Sequence, residues 1–208
     1  MKTHSPRSKI MISIALLFLV WSGLSPAMAA APTLEIESTV TQVIKILTDP
    51  ALRGRNQQVE RRMLLRNAIA PRFDFREMAK SSLGPYWHHL TGAQQDEFVQ
   101  LFTRLLEKAY LSRIESYHDE KFVYTGETMD QRYAEVDSKI VTAQNNPYPI
   151  DYLLHRIGND WKIYDVVIEG VSLVDNYRSQ FDHVIYRYSY GELVRRMKQR
   201  LSQENSRG

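Results

Sequence analysis

Apolar residues recur every three or four positions between residues 33 and 70, which is the spacing of one face of an α-helix. The first stretch, residues 33–48, stops at Asp49-Pro50 and predicts one amphipathic helix. A second helix is predicted from about Asn56 to the residue before Pro71, because proline disfavours helical geometry in the preceding residue. The apolar residues assigned to its inner face are Val59, Met63, Leu64 and Ile69.

Capping residues mark two further helices. Asp74 is suited to be the N-cap of a short third helix, which Gly84-Pro85 terminates. Thr91 and Gln94 have the spacing of a capping box, in which each side chain satisfies a free amide of the other residue. They open the longest predicted helix. Its apolar stripe keeps helical spacing through Phe98, Leu101, Phe102, Leu105, Leu106, Ala109, Tyr110, Ile114 and Tyr117.

After Tyr117 apolar and polar residues alternate, which is the pattern of β-strands. Short turns between the segments indicate an antiparallel meander. The predicted strands are Lys121–Glu127, Gln131–Ala143, Tyr148–Ile157 and Asp160–Gly170. In the fourth strand, strict alternation assigns Trp161, Ile163, Asp165 and Val167 to one face and Lys162, Tyr164, Val166 and Ile168 to the other.

Two C-terminal helices are predicted, from Ser172 to about Tyr188 and from Tyr190 to about Leu201. Helices that are segregated from a run of strands indicate the α+β class. We therefore expect an antiparallel, strongly twisted sheet of about four strands, covered by N-terminal and C-terminal helices.

Residues 1–29 are predicted to be a secretory signal peptide. Three basic residues precede an apolar run from Ile10 to Trp21, and Ala27-Met28-Ala29 has the small-residue pattern of a cleavage site. The run is about half as long as the roughly 20 apolar residues that a membrane-spanning helix needs. We therefore expect export to the periplasm, a single domain at residues 30–203 and a disordered tail at 204–208.

The charge balance changes once the signal peptide is set aside. The chain has 27 Lys and Arg residues and 24 Asp and Glu residues, and three of the basic residues precede the apolar run. The remaining chain is neutral in formal charge, which gives no electrostatic basis for binding nucleic acid. There is no cysteine, which excludes disulfides and thiolate metal sites.

Candidate catalytic chemistry is sparse. The sequence has no nucleophile elbow, zinc-binding helix motif, phosphate-binding glycine loop or dinucleotide fingerprint. His88 and His89 are adjacent, and adjacent helical residues point about 100° apart, so they are poorly placed to share a metal. Asp165 and Glu169 are interpreted as partners of amides near the sheet edge or of Arg178. We predict no catalytic residue, no metal, no cofactor and no enzymatic activity.

Several segments resemble the MlaC, or toluene-tolerance, family of periplasmic phospholipid-binding proteins. The segments that carry the resemblance most clearly are Pro149–Tyr152, Trp161–Leu173 and Asn176–Phe181. Further segments that look like the same family are Phe73-Asp74-Phe75, Leu83-Gly84-Pro85-Tyr86-Trp87 and the helix from Phe98 to Tyr117. Residues 33–70 match only in pattern.

The resemblance implies a monomeric carrier whose phospholipid cargo has its tails between the sheet and the covering helices and its headgroup in water. The implied partners are an inner-membrane ABC transporter complex with its substrate-binding subunit and an outer-membrane lipoprotein–porin complex. Transport between them would maintain outer-membrane lipid asymmetry. Positions that match the family's cavity wall are Tyr110, Ile150 and Val171. Nine further residues are added to the predicted cavity wall only because they lie on the predicted inner face of their helix or strand. They are Phe73, Phe75, Met78, Phe102, Leu106, Ile140, Tyr152, Val167 and Phe181.

Three alternatives remain at this stage. The cargo could be a hopanoid or another apolar lipid, since some relatives belong to such pathways. The protein could be a small periplasmic enzyme that uses Asp165 or His155 at the cavity mouth. It could also be a structural adaptor with a solid interior, because the aromatic stripe by itself is more typical of a packed core than of a cavity.

Overall fold

The computed structural model describes residues 31–203, so the predicted signal peptide and the predicted tail lie outside the described residues. The fold is α+β, as predicted. The helices are α1 (Pro32–Thr48), α2 (Gln58–Ile69), α3 (Phe75–Leu83), α4 (Gly92–Glu115), α5 (Leu173–Arg187) and α6 (Tyr190–Ser202). The strands are β1 (Lys121–Asp130), β2 (Tyr133–Val141), β3 (Pro147–Ile157), β4 (Asp160–Ile168) and β5 (Val171–Ser172).

The five strands form one antiparallel sheet in the order β1-β2-β3-β4-β5. The sequence predicts about four strands, and the additional strand β5 has only two residues. Such a strand is too short to show an alternating pattern. No helix within residues 31–203 is both long and apolar enough to cross a membrane.

The predicted helix caps are present. The Asp74 carboxylate accepts a hydrogen bond from the Glu77 amide at 2.9 Å and begins α3. Thr91 and Gln94 form the capping box of α4, with the Thr91 amide donating to the Gln94 side chain at 2.9 Å. The Ser172 hydroxyl accepts from the Asp175 amide at 3.0 Å and begins α5. Local hydrogen-bond chemistry therefore determines where these three helices start.

The inner face of α2 differs from the prediction. Val59 is 82% exposed and Met63 is 51% exposed, whereas Leu65 and Ala68 are buried. Apolar residues occur on both sides of this helix, so spacing alone does not identify the inner face. Packing against α1 and the ion pairs of α2 with α4 decide the orientation.

A β-bulge in β4 changes which of its side chains share a face, so the predicted assignment of faces is wrong after the bulge. Leu153 pairs with Asp165 and Leu154 pairs with Ile163, so Tyr164 is an extra residue in the ladder. An extra residue reverses the alternation of the residues that follow it. The apolar side chains that share the inner face of β4 are therefore Trp161, Ile163, Val166 and Ile168.

Two clusters of buried apolar residues result. One, which we call the helical core, lies among α3, α4, α5 and α6 and includes Met78, Phe98, Phe102, Tyr177 and Phe181. The other joins α1 to the sheet through Ile36, Val136, Leu154, Trp161 and Ile163. The space between α1, the C-terminal half of α4 and the sheet is not filled.

Candidate functional site

A cavity of about 720 Å³ lies between α1, α4 and the inner face of the sheet. This volume is in the range of small-molecule binding cavities. From the helices, its apolar wall receives Val40, Val43, Ile44 and Leu47 of α1 and Leu106, Tyr110, Leu111 and Ile114 of α4. From the strands, it receives Phe122, Ile140, Tyr148, Ile150, Tyr152, Ile163, Val166 and Ile168. The interior is hollow and hydrocarbon-lined, unlike the solid interior expected of an adaptor.

The N-terminal end of α1 closes on the sheet and its C-terminal end does not. Ile36 is buried within the sheet cluster, and the Thr33 amide donates to the Glu127 carboxylate at 2.8 Å. Further along the helix, Val43 and Leu47 are only half-buried although they lie on the same face. These residues face the cavity, so α1 acts as a wall over the empty space.

Ion pairs around the cavity hold its walls together. Arg72 pairs with Glu35 of α1 and donates to the Trp161 carbonyl of β4 at 2.8 Å. Arg66 of α2 pairs with Glu107 of α4 at 3.1 Å. These polar contacts connect elements whose apolar side chains face the cavity.

The cavity opens to solvent where its lining residues are themselves exposed. These residues are Arg66, Arg113, Ser116, Tyr148 and Glu169. The guanidinium carbon of Arg113 lies 5.8 Å from the centre of the Tyr110 ring, a cation–π distance. The opening is therefore polar, while the interior behind it is apolar.

Two tyrosines near the cavity are strongly affected by burial. Burial, together with the nearby Tyr124, raises the pKa of Tyr152. Burial, with a smaller contribution from Glu37, raises the pKa of Tyr124 to about 12. A tyrosine is already neutral at physiological pH, and the raised pKa keeps both hydroxyls uncharged at more alkaline pH as well.

Eight of the twelve residues predicted to line the cavity do so. They are Phe73, Phe75, Met78, Leu106, Tyr110, Ile140, Ile150 and Tyr152. Phe73 and Phe75 stack with ring centres 5.4 Å apart at the start of α3. The structure brings these residues together from α3, α4, β2 and β3.

Four predicted wall residues lie elsewhere. Phe102 and Phe181 belong to the helical core, with ring centres 6.0 Å apart, because α5 packs on the N-terminal half of α4. Val167 is on the opposite face from Val166 and Ile168, because the bulge at Tyr164 shifts the phase. Val171 lies in β5 and is 57% exposed.

The structure also adds wall residues that the sequence reasoning missed. Val40, Val43, Ile44 and Leu47 have the helical spacing that predicts an amphipathic helix at residues 33–48, but spacing does not show whether their face meets a core or a cavity. Val166 and Ile168 were assigned to the wrong face of β4, and only the bulge explains their position.

Asp165 is part of the framework of the fold. Its carboxylate accepts hydrogen bonds from the Val166 amide at 2.7 Å, the Val174 amide at 3.1 Å and the Ser172 hydroxyl. It therefore ties β4 to the start of α5, consistent with its interpretation as a partner of helix amides. Arg178 does not join it and lies beside Gly84 instead.

The other candidate of the enzyme alternative, His155, pairs with Asp74 at 3.0 Å and contacts the Tyr164 ring edge-on. Asp74 is also the N-cap of α3. Within residues 31–203 no group of three or more His, Asp or Glu residues is arranged to hold a metal ion.

The fold and the site together define a class of protein: a small α+β domain with a hydrocarbon-lined cavity that is open to solvent. This chain belongs to the MlaC protein family, whose model matches residues 37–199.

Known proteins similar to this chain carry consistent descriptions. The intermembrane phospholipid transport system binding protein MlaC of Haemophilus influenzae is 24% identical over 147 residues, which are 68% of this chain and 69% of that protein. The toluene tolerance protein ttg2D of Pseudomonas putida is 26% identical over 125 residues, 59% of this chain and 58% of that protein.

A solved structure is also similar. The phospholipid-binding protein from Ralstonia solanacearum, solved in complex with a phospholipid, superposes with a TM-score of 0.75 at 27% identity. The match covers 84% of this chain and 98% of the Ralstonia chain.

Proposed function

We propose that this protein is a periplasmic carrier that binds a phospholipid by its acyl tails. The observation that carries the proposal is the apolar cavity of about 720 Å³, which is open to solvent. The similar Ralstonia protein, which was solved with a bound phospholipid, supports the same cargo. The eight predicted residues that line the cavity, together with those of α1, are the proposed tail contacts.

The energetics of hydrocarbon in water explain why such a carrier is needed. Each buried methylene contributes about 0.8 kcal/mol, so two acyl chains of about 30 carbons lose on the order of 25 kcal/mol when exposed to water. A phospholipid therefore does not diffuse freely between membranes. A carrier must shelter most of this hydrocarbon and still release it to a membrane or a partner.

The proposal includes the setting in which the carrier works. Export would follow cleavage of the signal peptide near Ala29. The carrier would exchange lipid, as a monomer, with an inner-membrane ABC transporter complex that includes a substrate-binding subunit, and with an outer-membrane lipoprotein–porin complex. In this role it would contribute to outer-membrane lipid asymmetry, and the bound phospholipid would be cargo for a protein without catalytic function.

Lipid uptake tests the proposal directly. Purified protein is incubated with phospholipid vesicles and re-isolated, and the extracted lipid is quantified by mass spectrometry. We expect uptake by the wild-type protein and a loss of at least severalfold in Ile150→Trp, because the larger side chain narrows the cavity. Recovery of a hopanoid in place of phospholipid from protein purified from cells would instead favour the alternative cargo.

A matched control separates filling of the cavity from a general effect of tryptophan. Val123 is exposed and lies between Phe122 and Tyr124 on β1. Phe122 lines the cavity, and successive side chains of a strand point to opposite faces, so the Val123 side chain points away from the cavity. Val123→Trp should take up lipid like the wild type. Lipid-free wild-type protein, with no uptake from vesicles, would overturn the proposed function.

A further inference from the structure

Charge is distributed unevenly along the chain. Residues 31–203 contain 23 Lys and Arg residues and 23 Asp and Glu residues, so this part of the chain is neutral in formal charge. Residues 183–203 contain five Lys and Arg residues and one Glu, which gives a formal charge of +4, and residues 31–182 therefore carry −4. A chain whose charges are separated in this way can present a basic surface to a partner although its net charge is zero.

Most of the positive charge is on the solvent side of α6. This helix packs on the helical core through one apolar side, whose buried residues are Leu193, Val194, Met197 and Leu201. Because successive helical residues are about 100° apart, the basic residues of α6 lie outside that side. They are exposed, and we call them the basic face: Arg195, Arg196, Lys198 and Arg200. None of the four lines the cavity.

Two carboxylates offset part of this charge. Glu192, the single acidic residue of α6, pairs with Arg195 and Arg196, each at 2.7 Å. Glu97 of α4 pairs with Lys198 at 2.6 Å. These two carboxylates face three basic side chains, so one positive charge is left without a counter-charge.

Three arginines in or next to the basic face are not offset at all. Arg200, Arg104 of α4 and Arg187 at the end of α5 make no ion pair within residues 31–203. Arg104 shares a surface depression with Lys198 and Leu201, so α4 extends the basic face. Arg187 is the last residue of α5, three positions before α6 begins. The charge of unpaired residues stays available to an anionic partner.

Two exposed tyrosines are at the end of α5 that adjoins α6. Tyr186 is 88% exposed and Tyr188 is 56% exposed. The guanidinium carbon of Arg196 lies 4.6 Å from the centre of the Tyr188 ring, which connects the tyrosine to the basic face. Tyrosine is enriched at membrane–water interfaces, where its ring sits at the level of the lipid headgroups. Tyrosine and arginine together are therefore suited to a lipid surface.

We propose that the basic face of α6, extended by Arg104 and Arg187, is a docking surface for an anionic phospholipid bilayer. A guanidinium matches the oxygens of a phosphate, and clusters of about four to eight Lys and Arg residues on an amphipathic helix have the composition that binds anionic membranes. The choice of a bilayer over an acidic protein rests on the proposed function, because the complexes with which the carrier would exchange cargo lie in membranes. The bilayer is bound apart from the cargo, whose tails occupy the cavity.

Co-sedimentation with vesicles tests this surface. Protein purified from cells is mixed with vesicles of phosphatidylcholine alone or of phosphatidylcholine with an equal amount of phosphatidylglycerol. At about 0.1 M salt, where the Debye length is about 10 Å, we expect severalfold more protein to sediment with the anionic vesicles. At about 1 M salt, where the Debye length is about 3 Å, the difference should disappear. A difference that persists at high salt would overturn an electrostatic docking surface.

Charge-neutral variants locate the binding. The test variant breaks no ion pair within residues 31–203, and its sedimentation with anionic vesicles should fall severalfold; it carries Arg104→Gln, Arg187→Gln and Arg200→Gln. The control variant removes the same charge from exposed residues elsewhere and should sediment like the wild type; it carries Lys45→Gln, Arg55→Gln and Lys121→Gln. Equal losses in the two variants would overturn the assignment to α6, because binding would then follow net charge.

Lipid uptake, measured in the same samples, separates this proposal from the carrier function. Ile150→Trp should sediment with anionic vesicles like the wild type while it takes up less lipid, because the cavity and the basic face share no residue. Wild-type protein that takes up lipid but does not sediment with anionic vesicles would overturn the docking surface alone and would indicate an acidic protein as the partner of α6. Absence of any lipid uptake would overturn the carrier function itself.

Discussion

One helix contributes to two regions of opposite character. The N-terminal half of α4 carries Phe98 and Phe102, which have no exposed surface in the helical core. The C-terminal half carries Tyr110 and Ile114, which have the same helical spacing but line the cavity and remain partly exposed. The difference shows that an apolar stripe defines a face, while the neighbouring elements decide whether that face is packed or left open.

The helical core is held together by ring packing. Phe102 meets Tyr177 edge-on with centres 5.4 Å apart, and Phe98 meets Phe181 edge-on at 5.7 Å. Such pairs add to the stabilisation from apolar burial. Buried rings in contact with one another therefore fill this region, in contrast to the hollow one.

The hollow region cannot use its interior in the same way, because its apolar side chains face the cavity rather than one another. Ion pairs outside the cavity connect its walls instead. Arg61 and Arg62 of α2 both donate to the Glu115 carboxylate of α4, at distances of 3.0 and 2.9 Å. The comparison therefore predicts that apolar truncations matter most in the helical core and that ion pairs matter most around the cavity.

The largest effect is expected from truncation in the helical core. Phe102→Ala should lower the free energy of unfolding by about 3–5 kcal/mol, because it removes a fully packed ring and leaves a void. Tyr110→Ala, two turns further along α4, should cost only about 1 kcal/mol, since its ring already faces open space. Urea denaturation of both variants measures the difference.

Equal losses in these two variants would contradict the comparison, because they would mean that the cavity wall is as tightly packed as the helical core. A lipid-free sample is needed, since bound cargo stabilises the folded state and would add to the apparent cost of Tyr110→Ala.

The sequence predicted most of the framework because local chemistry determines it. Capping by Asp74, Thr91 and Ser172 is set by residues three positions apart, and the structure contains all three caps. The alternation of the strands likewise predicted the antiparallel meander. These features depend on neighbours in sequence, which is the information that spacing contains.

The site was predicted less completely because it depends on distant neighbours. Phe102 and Phe181 have inward phase, yet only the docking of α5 on α4 places them in the helical core. Val167 was misassigned because a single extra residue, Tyr164, reverses the phase of a strand. The sequence pattern does not distinguish a packed face from an open one, so α1 was recognised as a helix and not as a cavity wall.

An intermediate effect is expected from the ion pairs outside the cavity. Burial by itself would raise the pKa of Glu115, but the hydrogen bonds and charges of Arg62 and Arg61 outweigh it and lower the pKa below its ordinary value of 4.5. Glu115→Gln should therefore lower the free energy of unfolding at neutral pH by about 1–3 kcal/mol. Urea denaturation at several pH values measures this cost.

The pH dependence of this variant has a definite sign. A carboxylate with a lowered pKa stabilises the fold above its unfolded pKa, and the contribution disappears as the pH falls through the folded pKa. The gap between wild type and Glu115→Gln should therefore narrow below about pH 4.5. Glu107→Gln is the control: its pair with Arg66 is more exposed and should be worth less than about 1 kcal/mol. A constant gap from pH 7 to pH 3 would show that Glu115 acts through shape and not through charge.

The smallest effect contrasts two partly buried tyrosines, one from each region. The Tyr190 hydroxyl of the helical end donates to the Gln94 carbonyl at 3.3 Å, whereas the Tyr124 hydroxyl beside the sheet has no partner within residues 31–203. Tyr124→Phe should therefore raise the free energy of unfolding by about 0.5–1 kcal/mol, while Tyr190→Phe should lower it by a similar amount. Loss of stability in both variants would mean that the Tyr124 hydroxyl is hydrogen-bonded as well as that of Tyr190. The two regions would then not differ in how well their polar groups are satisfied.

Stability measured at alkaline pH gives a second test of the role of the Tyr124 hydroxyl. Burial raises the pKa of Tyr124 from 10.0 to about 12, with Glu37 adding to the shift. A group whose pKa is raised on folding contributes stability below its unfolded pKa and loses that contribution as the pH rises through the folded pKa. Wild-type stability should therefore decline between pH 10 and 12 by more than that of Tyr124→Phe, so the advantage of the variant should widen across this interval. Because phenylalanine keeps the ring and removes only the hydroxyl, a widening gap would identify the unpartnered hydroxyl beside the cavity, and not the packing of the ring, as the source of the difference.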